Sequence, residues 1–282
     1  MHGPEIIAHT LERPSRPDSH GNTWQYHSRS DRHSKVACWT ILYEMLQRST
    51  VLQDQVRDGA VVLGIDQPLC DSSTRRKKNL DLVIASPGGD EHLKSETLED
   101  LAVRWGVRLG RSDQERLAAL PAIATGPVDV VRVAFEAKAC MTEHVKALPR
   151  LFDELASSQQ VVHADTEDAI AVGFAIVNAS ETFISPDRNK RNITIDAAYV
   201  STQAPHGAAR TMAKLRELPR RTSSIEDGFD AFGVMIIKMT NDGGPIGLVD
   251  GLPAPDLSDD LHYERMLERL VYLYEAPRAD AR

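Results

Sequence analysis

The chain of 282 residues has only three cysteines, and no two of them have the close spacing of a metal-binding motif or a disulfide framework. This scarcity excludes a disulfide framework and a cysteine-based zinc site. Aromatic residues are also few, at 5%, and no apolar run approaches the length needed to cross a membrane. The amino terminus lacks the basic region and apolar stretch of a signal peptide. We therefore expect a cytoplasmic protein without membrane partners.

An excess of positive charge is absent as well. The chain has 33 Lys and Arg residues against 41 Asp and Glu residues, a formal net charge of -8. Such a chain does not hold nucleic acid through bulk positive charge, although a local basic patch can still bind phosphate. What the sequence does have is the composition of a folded domain. Hydrophobic residues make up 41% and charged residues 26%, ordinary values for a globular protein with a sizeable core.

The chain divides into three regions by pattern. Residues 1–34 are rich in Pro, Ser, Arg and His without clear periodicity, which predicts an irregular, solvated arm. Residues 35–180 alternate helical and strand patterns, which predicts one α/β core. Residues 181–282 are predicted to be a C-terminal α+β extension of the same domain, available for recognition or oligomer contacts. This extension is predicted to contain a strand over 193–200, a hairpin near Asn241, and a last helix capped by Asp256 or Ser258.

Within the core, the predicted element order is helix, strand, strand, helical insertion, strand, helix, strand. The first helix begins at Lys35, because apolar residues then recur at three- and four-residue steps. Apolar segments bounded by turn residues predict the strands. The predicted strands are residues 60–65, 80–85, 128–138 and 169–177, with a polar loop at 66–79 and the helical insertion at 95–120.

The third predicted strand ends in two ionisable residues, Glu136 and Lys138. Alternation places them side by side on one face. The predicted faces are Arg132, Ala134, Glu136 and Lys138 on one side, and Val131, Val133, Phe135 and Ala137 on the other. Such residues are costly on an apolar strand unless they face water, pair with each other or hold a metal. Taken alone, they could be a surface ion pair.

Asp81 interrupts the second predicted strand in the same way, between Leu80 and Leu82. If the second and third strands are neighbours, Asp81 and Glu136 meet and can bind one metal ion. Two carboxylates with open water positions suit Mg²⁺, for which Mn²⁺ can substitute. The ion can activate water and polarise a phosphate. Lys138 can then orient the attacking water or balance charge on the phosphate.

An Asp in one strand, followed by Glu-x-Lys at the end of the next, resembles the PD-(D/E)xK nuclease superfamily, which includes the restriction endonucleases. The resemblance covers residues 35–178, with Leu80 in place of the motif's proline. Val133–Lys138 is especially similar to the motif of cyclic-oligonucleotide-activated effector nucleases of bacterial anti-phage systems. In many members a glutamate of the first helix joins the metal site, so the resemblance makes Glu44 a candidate third acid.

The resemblance implies a restriction-endonuclease-like core, with a central mixed β-sheet flanked by helices. It also implies a Mg²⁺-dependent DNA endonuclease in bacterial restriction or phage defence. Two alternatives stay open: an effector nuclease activated by a cyclic nucleotide, and a non-catalytic nucleic-acid-binding protein that kept the fold. Cutting both strands of a duplex usually needs two sites related by a two-fold axis, so we expect a homodimer or other homo-oligomer. The apolar C-terminal helix is a candidate interface; the alternative, which we favour, is that it packs on the protein's own core.

A basic run precedes Asp81 within the predicted polar loop. It consists of Arg75, Arg76, Lys77 and Lys78. Short basic loops position the phosphates of a nucleic-acid backbone, which predicts DNA contacts here. A solvated loop without a ligand is the alternative.

Overall fold

A computed structural model describes residues 1–15, 17–71, 75–89, 95–223 and 226–276. Within them, helices cover both faces of a six-stranded mixed sheet, and two further strands form a small separate sheet. The helices are α1 (Gly3–Glu12), α2 (Arg32–Arg48), α3 (Thr50–Arg57), α4 (Leu98–Trp105), α5 (Arg111–Ala119), α6 (His144–Asp165), α7 (Gly207–Leu215) and α8 (Tyr263–Glu275). The strands are β1 (Val62–Cys70), β2 (Lys77–Pro87), β3 (Val128–Cys140), β4 (Ile170–Asn178), β5 (Thr182–Phe183), β6 (Ser201–Thr202), β7 (Ala231–Lys238) and β8 (Gly247–Leu248).

The strand order in the main sheet is β1-β2-β3-β4-β7-β8. The pairs β1–β2 and β2–β3 are antiparallel, β3–β4 and β4–β7 are parallel, and β7–β8 is antiparallel. The predicted central mixed sheet is therefore confirmed, and so is the predicted neighbourhood of the second and third strands. Leu82 of β2 lies opposite Phe135 of β3. The hairpin of the C-terminal region is also confirmed, and its first strand lies inside the main sheet.

Two apolar clusters lie on the two faces of the sheet. One joins α1, α2, α4 and α8 to the sheet through residues such as Trp39 and Phe174. The other joins α6 and α7 through residues such as Leu155 and Phe232. Strand β4 is buried along its whole length, as its nearly continuous apolar sequence predicts for a strand with neighbours on both sides and helices on both faces. The carboxylate-bearing strands β2 and β3 thus lie between two helical layers.

The prediction of an irregular, solvated arm over residues 1–34 is wrong for its first part. Residues Gly3–Glu12 form α1, and Ile6, Ile7 and Leu11 are fully buried. Pro4 is compatible with this helix, because an N–H in the first turn has no helical partner to lose. The irregular stretch that follows is anchored to the C-terminal region, since the Asn22 side chain donates to the Arg191 carbonyl at 2.7 Å.

The predicted loop 66–79 is shorter than expected. Strand β1 continues to Cys70 and β2 already begins at Lys77, so part of the basic run lies in a strand. Residues 72–74 lie outside the described residues. In β3 the register shifts around Arg132, because Ile84 pairs with Val133 but Ala85 pairs with Val131. This bulge reverses the alternation, so Val131 faces the side opposite to Val133, against the prediction.

Two predictions for the C-terminal region are also wrong. Residues 193–195 form a turn and residues 196–200 have no regular secondary structure, so the predicted strand is absent there. Helix α8 begins at Tyr263 with His262 as its N-cap. The carboxylate of Asp256, one of the two predicted caps, instead accepts the N–H of Ser258, the other, inside a turn.

Helix α8 packs on the protein's own core. Met266, Leu267 and Leu270 are buried there, so much of the apolar side that was considered for an interface is already covered. In the described part of the chain, no helix combines the length and apolar character needed to span a membrane.

Candidate carboxylate–lysine site

Neighbouring strands bring the predicted acids together. Asp81 projects from β2 and Glu136 from β3, and the backbone N–H of Ala137 donates to Oδ2 of Asp81 at 3.1 Å. Both acids are nearly inaccessible, since Asp81 is 8% exposed and Glu136 2% exposed. The structure therefore assembles Asp81, Glu136 and Lys138 in one place, where the β2–β3 pairing predicts them.

Glu136 is surrounded by charge but has little hydrogen bonding. The Nζ atom of Lys138 lies 2.8 Å from Oε1 of Glu136, and Nζ of Lys78 lies 3.8 Å from the same oxygen. Within the described residues, neither carboxylate oxygen has a hydrogen bond of good geometry. Burial raises the pKa of Glu136, and the nearby charge of Asp81 raises it further. A buried carboxylate with unused acceptor positions is a good ligand for a cation.

Asp81 is held by the first turn of α2. The Ser34 hydroxyl donates to Oδ1 of Asp81 at 3.0 Å. The Lys35 ammonium lies 3.6 Å from Oδ1, donates to the Asp81 carbonyl at 2.9 Å, and contacts Asp66. Lys35 is itself only 2% exposed. Together, these contacts fix the carboxylate and compensate its charge.

Sequence reasoning missed Lys35, although a signal was present. Lys35 lies four residues before Trp39, on the face of α2 that packs on the sheet. A charged residue at a core-facing helical position needs a partner of opposite charge. The interrupting carboxylate of Asp81 is the partner that this rule would have suggested.

Two further lysines reach the site from β2 and β3. Burial opposes the charge on Lys138, but the adjacent Glu136 outweighs it, so the pKa of Lys138 is raised. Burial lowers the pKa of Lys78, which donates to the Ser157 hydroxyl at 3.1 Å and contacts the Glu154 carbonyl. Lys78 is thus tied to α6.

The other members of the basic run point elsewhere. Arg75 and Lys77 are exposed. Arg76 lies against α6, with Nη1 at 3.5 Å from Oε1 of Gln160. The run predicted to bind nucleic acid therefore does not act as one unit: Lys78 belongs to the carboxylate site, and the rest lies on the neighbouring surface.

Glu44 does not lie in this site. It follows Ser34 by ten residues on the same helix, which places it about 15 Å further along the helix axis. There the Tyr263 hydroxyl donates to Oε2 of Glu44 at 2.6 Å, and burial raises the pKa of Glu44. The expectation that Glu44 supplies a third acid is not met. Among the described residues, no group of three or more His, Cys, Asp or Glu side chains could hold a metal.

A cavity of about 680 Å³ opens onto the site, with Asp81 and Lys138 among its lining residues. Its walls include the segment 26–34, the end of β3 with the following turn (137–143), the first half of α6, and the segment 183–188. The hydroxyl of Ser28 donates to Asp187 at 2.6 Å and joins two of these walls. Asp81 and Lys138 are therefore reached through a partly enclosed space, not across a flat surface.

No protein-family model matches the chain, and no curated protein or solved structure matches it either. The geometry and chemistry of the site are therefore what indicate its function.

Proposed function

We propose that the protein is a magnesium-dependent DNA endonuclease that hydrolyses phosphodiester bonds. The observation that carries this proposal is the meeting of Asp81, Glu136 and Lys138 on the adjacent strands β2 and β3. The order α2, β1, β2, β3, α6, β4 supports it, because it fits a restriction-endonuclease-like core into which α3 is inserted after α2, and α4 and α5 between β2 and β3. A role in restriction or phage defence rests on the sequence resemblance alone.

The donor set fits a magnesium ion. Asp81 and Glu136 would hold it, and two carboxylates are enough because Mg²⁺ usually keeps several water ligands. Oε2 of Glu136 suits this role, since it is buried without a hydrogen bond from the described residues, whereas Oε1 contacts Lys138. When bound, the ion supplies polarisation of the phosphate and lowers the pKa of a coordinated water.

The remaining residues orient the acids and balance charge. The Ser34 hydroxyl donates to Oδ1 of Asp81 and the Ala137 N–H donates to Oδ2, so both oxygens of the carboxylate are held. Lys138 is the ammonium group that both contacts Glu136 and lines the cavity. It is therefore placed to bind a phosphate oxygen as negative charge develops there.

A plasmid-nicking assay tests the proposal. The wild type, Asp81→Asn and Glu136→Gln are incubated with supercoiled DNA and Mg²⁺, Mn²⁺, Ca²⁺ or EDTA. We expect cleavage with Mg²⁺ and Mn²⁺, and a loss of about a hundredfold or more in both isosteric variants. Calcium should support binding without cleavage, because its looser coordination positions water poorly.

Glu44→Gln is the matched control, since it neutralises a buried acid outside the site. It should cleave DNA like the wild type, while Asp81→Asn and Glu136→Gln should lose Mn²⁺ binding in calorimetry. Undiminished cleavage by Glu136→Gln, or cleavage in EDTA, would overturn the proposal.

A further inference from the structure

Two walls of the cavity beside Asp81 differ in their chemistry. Arg150 and Lys146 of α6 line one wall, and the Arg150 side chain is 84% exposed. Tyr26 and His33 line the other wall, with their ring centroids 5.0 Å apart. Cations bind phosphates and aromatic rings stack on unstacked bases. The cavity therefore offers a partner for each part of a nucleotide.

Tyr26 is fixed in place although its segment has no regular secondary structure. Its N–H donates to Oδ1 of Asn241 at 2.9 Å, and its carbonyl accepts from Nδ2 of Asn241 at 3.0 Å. The edge of the Phe183 ring supports the Tyr26 ring at a centroid distance of 6.3 Å. Because it is already ordered, the Tyr26 ring can stack on a base with little further loss of conformational entropy.

The charges on the two walls suit the same ligand. Arg150 is paired with Glu154 at 2.6 Å and Lys146 with Glu143 at 3.2 Å, but exposed pairs are weak and a phosphate can displace them. Burial, and then the charge of Lys138, lower the pKa of His33 to about 4. His33 therefore presents a neutral ring near neutral pH, although Arg29 and Asp31 of the same segment also line the cavity.

We propose that Tyr26 and His33 form a base-stacking subsite beside the carboxylate pair, and that the preferred substrate is DNA with an unpaired nucleotide at this position. In an intact duplex the bases stack on each other and reach a protein ring only after extrusion. The cavity of about 680 Å³ lies in the usual range of small-ligand pockets, roughly 300–1,000 Å³. It accommodates a nucleotide, not a duplex. This inference rests on the proposed function.

Binding measurements with Ca²⁺, which should prevent cleavage, test the subsite. The probes are a labelled single strand, a duplex with a central unpaired bubble, and the fully paired duplex of the same sequence. We expect tighter binding of the first two, and about tenfold weaker binding of them by Tyr26→Leu, which removes the stacking ring. Tyr26→Phe should bind like the wild type. Tyr272→Leu removes a ring that is 71% exposed on α8 and should change nothing.

Equal or tighter binding of the paired duplex, or full affinity in Tyr26→Leu, would overturn the inference. A second measurement needs no variant: a single strand containing 5-iododeoxyuridine is photocrosslinked to the wild type, and the peptide is identified by mass spectrometry. Crosslinks at Tyr26 or His33 support the subsite, and crosslinks only elsewhere reject it. Stacking without any cleavage would reject the proposed function alone, and cleavage without stacking would reject the subsite alone.

Discussion

Lys35→Met removes one buried ammonium group and keeps most of the side-chain volume. At 3.6 Å from Oδ1 of Asp81 and an effective dielectric of about 20, the lost attraction is roughly 4–5 kcal/mol. Removing one partner of a buried ion pair typically lowers the free energy of unfolding by about 3–5 kcal/mol, which agrees with the lost attraction. We therefore expect the free energy of unfolding to fall by about this amount in urea titrations with EDTA.

A divalent ion should raise the free energy of unfolding of Lys35→Met by more than it raises that of the wild type. Without Lys35, Asp81 has lost its nearest cation, so Mg²⁺ meets less competition, and tighter binding to the folded state increases stabilisation. Urea titrations with Mg²⁺ and with EDTA measure this difference. Lys77→Met is the matched control, since Lys77 is exposed nearby, and Lys35→Arg keeps the charge. A loss below about 1 kcal/mol, as for a surface pair, would refute the charge-compensating role of Lys35.

Two other predictions concern residues outside the carboxylate pair. Burial raises the pKa of Glu44 in the folded state. The free energy of unfolding of the wild type, relative to that of Glu44→Gln, should therefore increase as the pH falls through that pKa. Urea titrations between about pH 8 and about pH 5 measure this difference, and a difference that stays constant would contradict the raised pKa. The double variant Arg76→Ala/Lys77→Ala should weaken DNA binding for all sequences. It should also reduce the slope of log affinity against log salt concentration by up to about two. An unchanged slope would exclude phosphate contacts by these residues.

The carboxylate pair could be predicted because its evidence is local. Alternation along β3 places Glu136 and Lys138 together, and a single interrupting acid marks β2. Their meeting required only that the two strands be neighbours. Lys35 was missed because the first helix was predicted to begin at that residue, whereas α2 begins at Arg32 and turns Lys35 toward the sheet.

Other parts of the fold depend on contacts that a local pattern does not record. Helix α1 was missed because the Pro, Ser and His content of residues 1–34 outweighed the short apolar pattern of Ile6, Ile7 and Leu11. The bulge at Arg132 depends on the partner strand, so alternation failed at Val131. The pairing of β7 with β4 is set by sheet assembly, and the sequence of β7 predicts a strand but not its neighbours.

The two hydrogen bonds between the Asn241 side chain and the Tyr26 backbone affect when, during synthesis of the chain, the cavity can form. A nascent chain is made from its amino terminus, so Asp81 and Glu136 leave the ribosome before Asn241 exists. Strand β4 likewise gains its second neighbour only when Ala231–Lys238 has been made. A ribosome-bound intermediate that ends before Ala231 therefore carries both acids but lacks the residues that fix the aromatic wall. Synthesis of residues 231–241 therefore sets the earliest moment at which the cavity is complete and the chemistry proposed for it can begin.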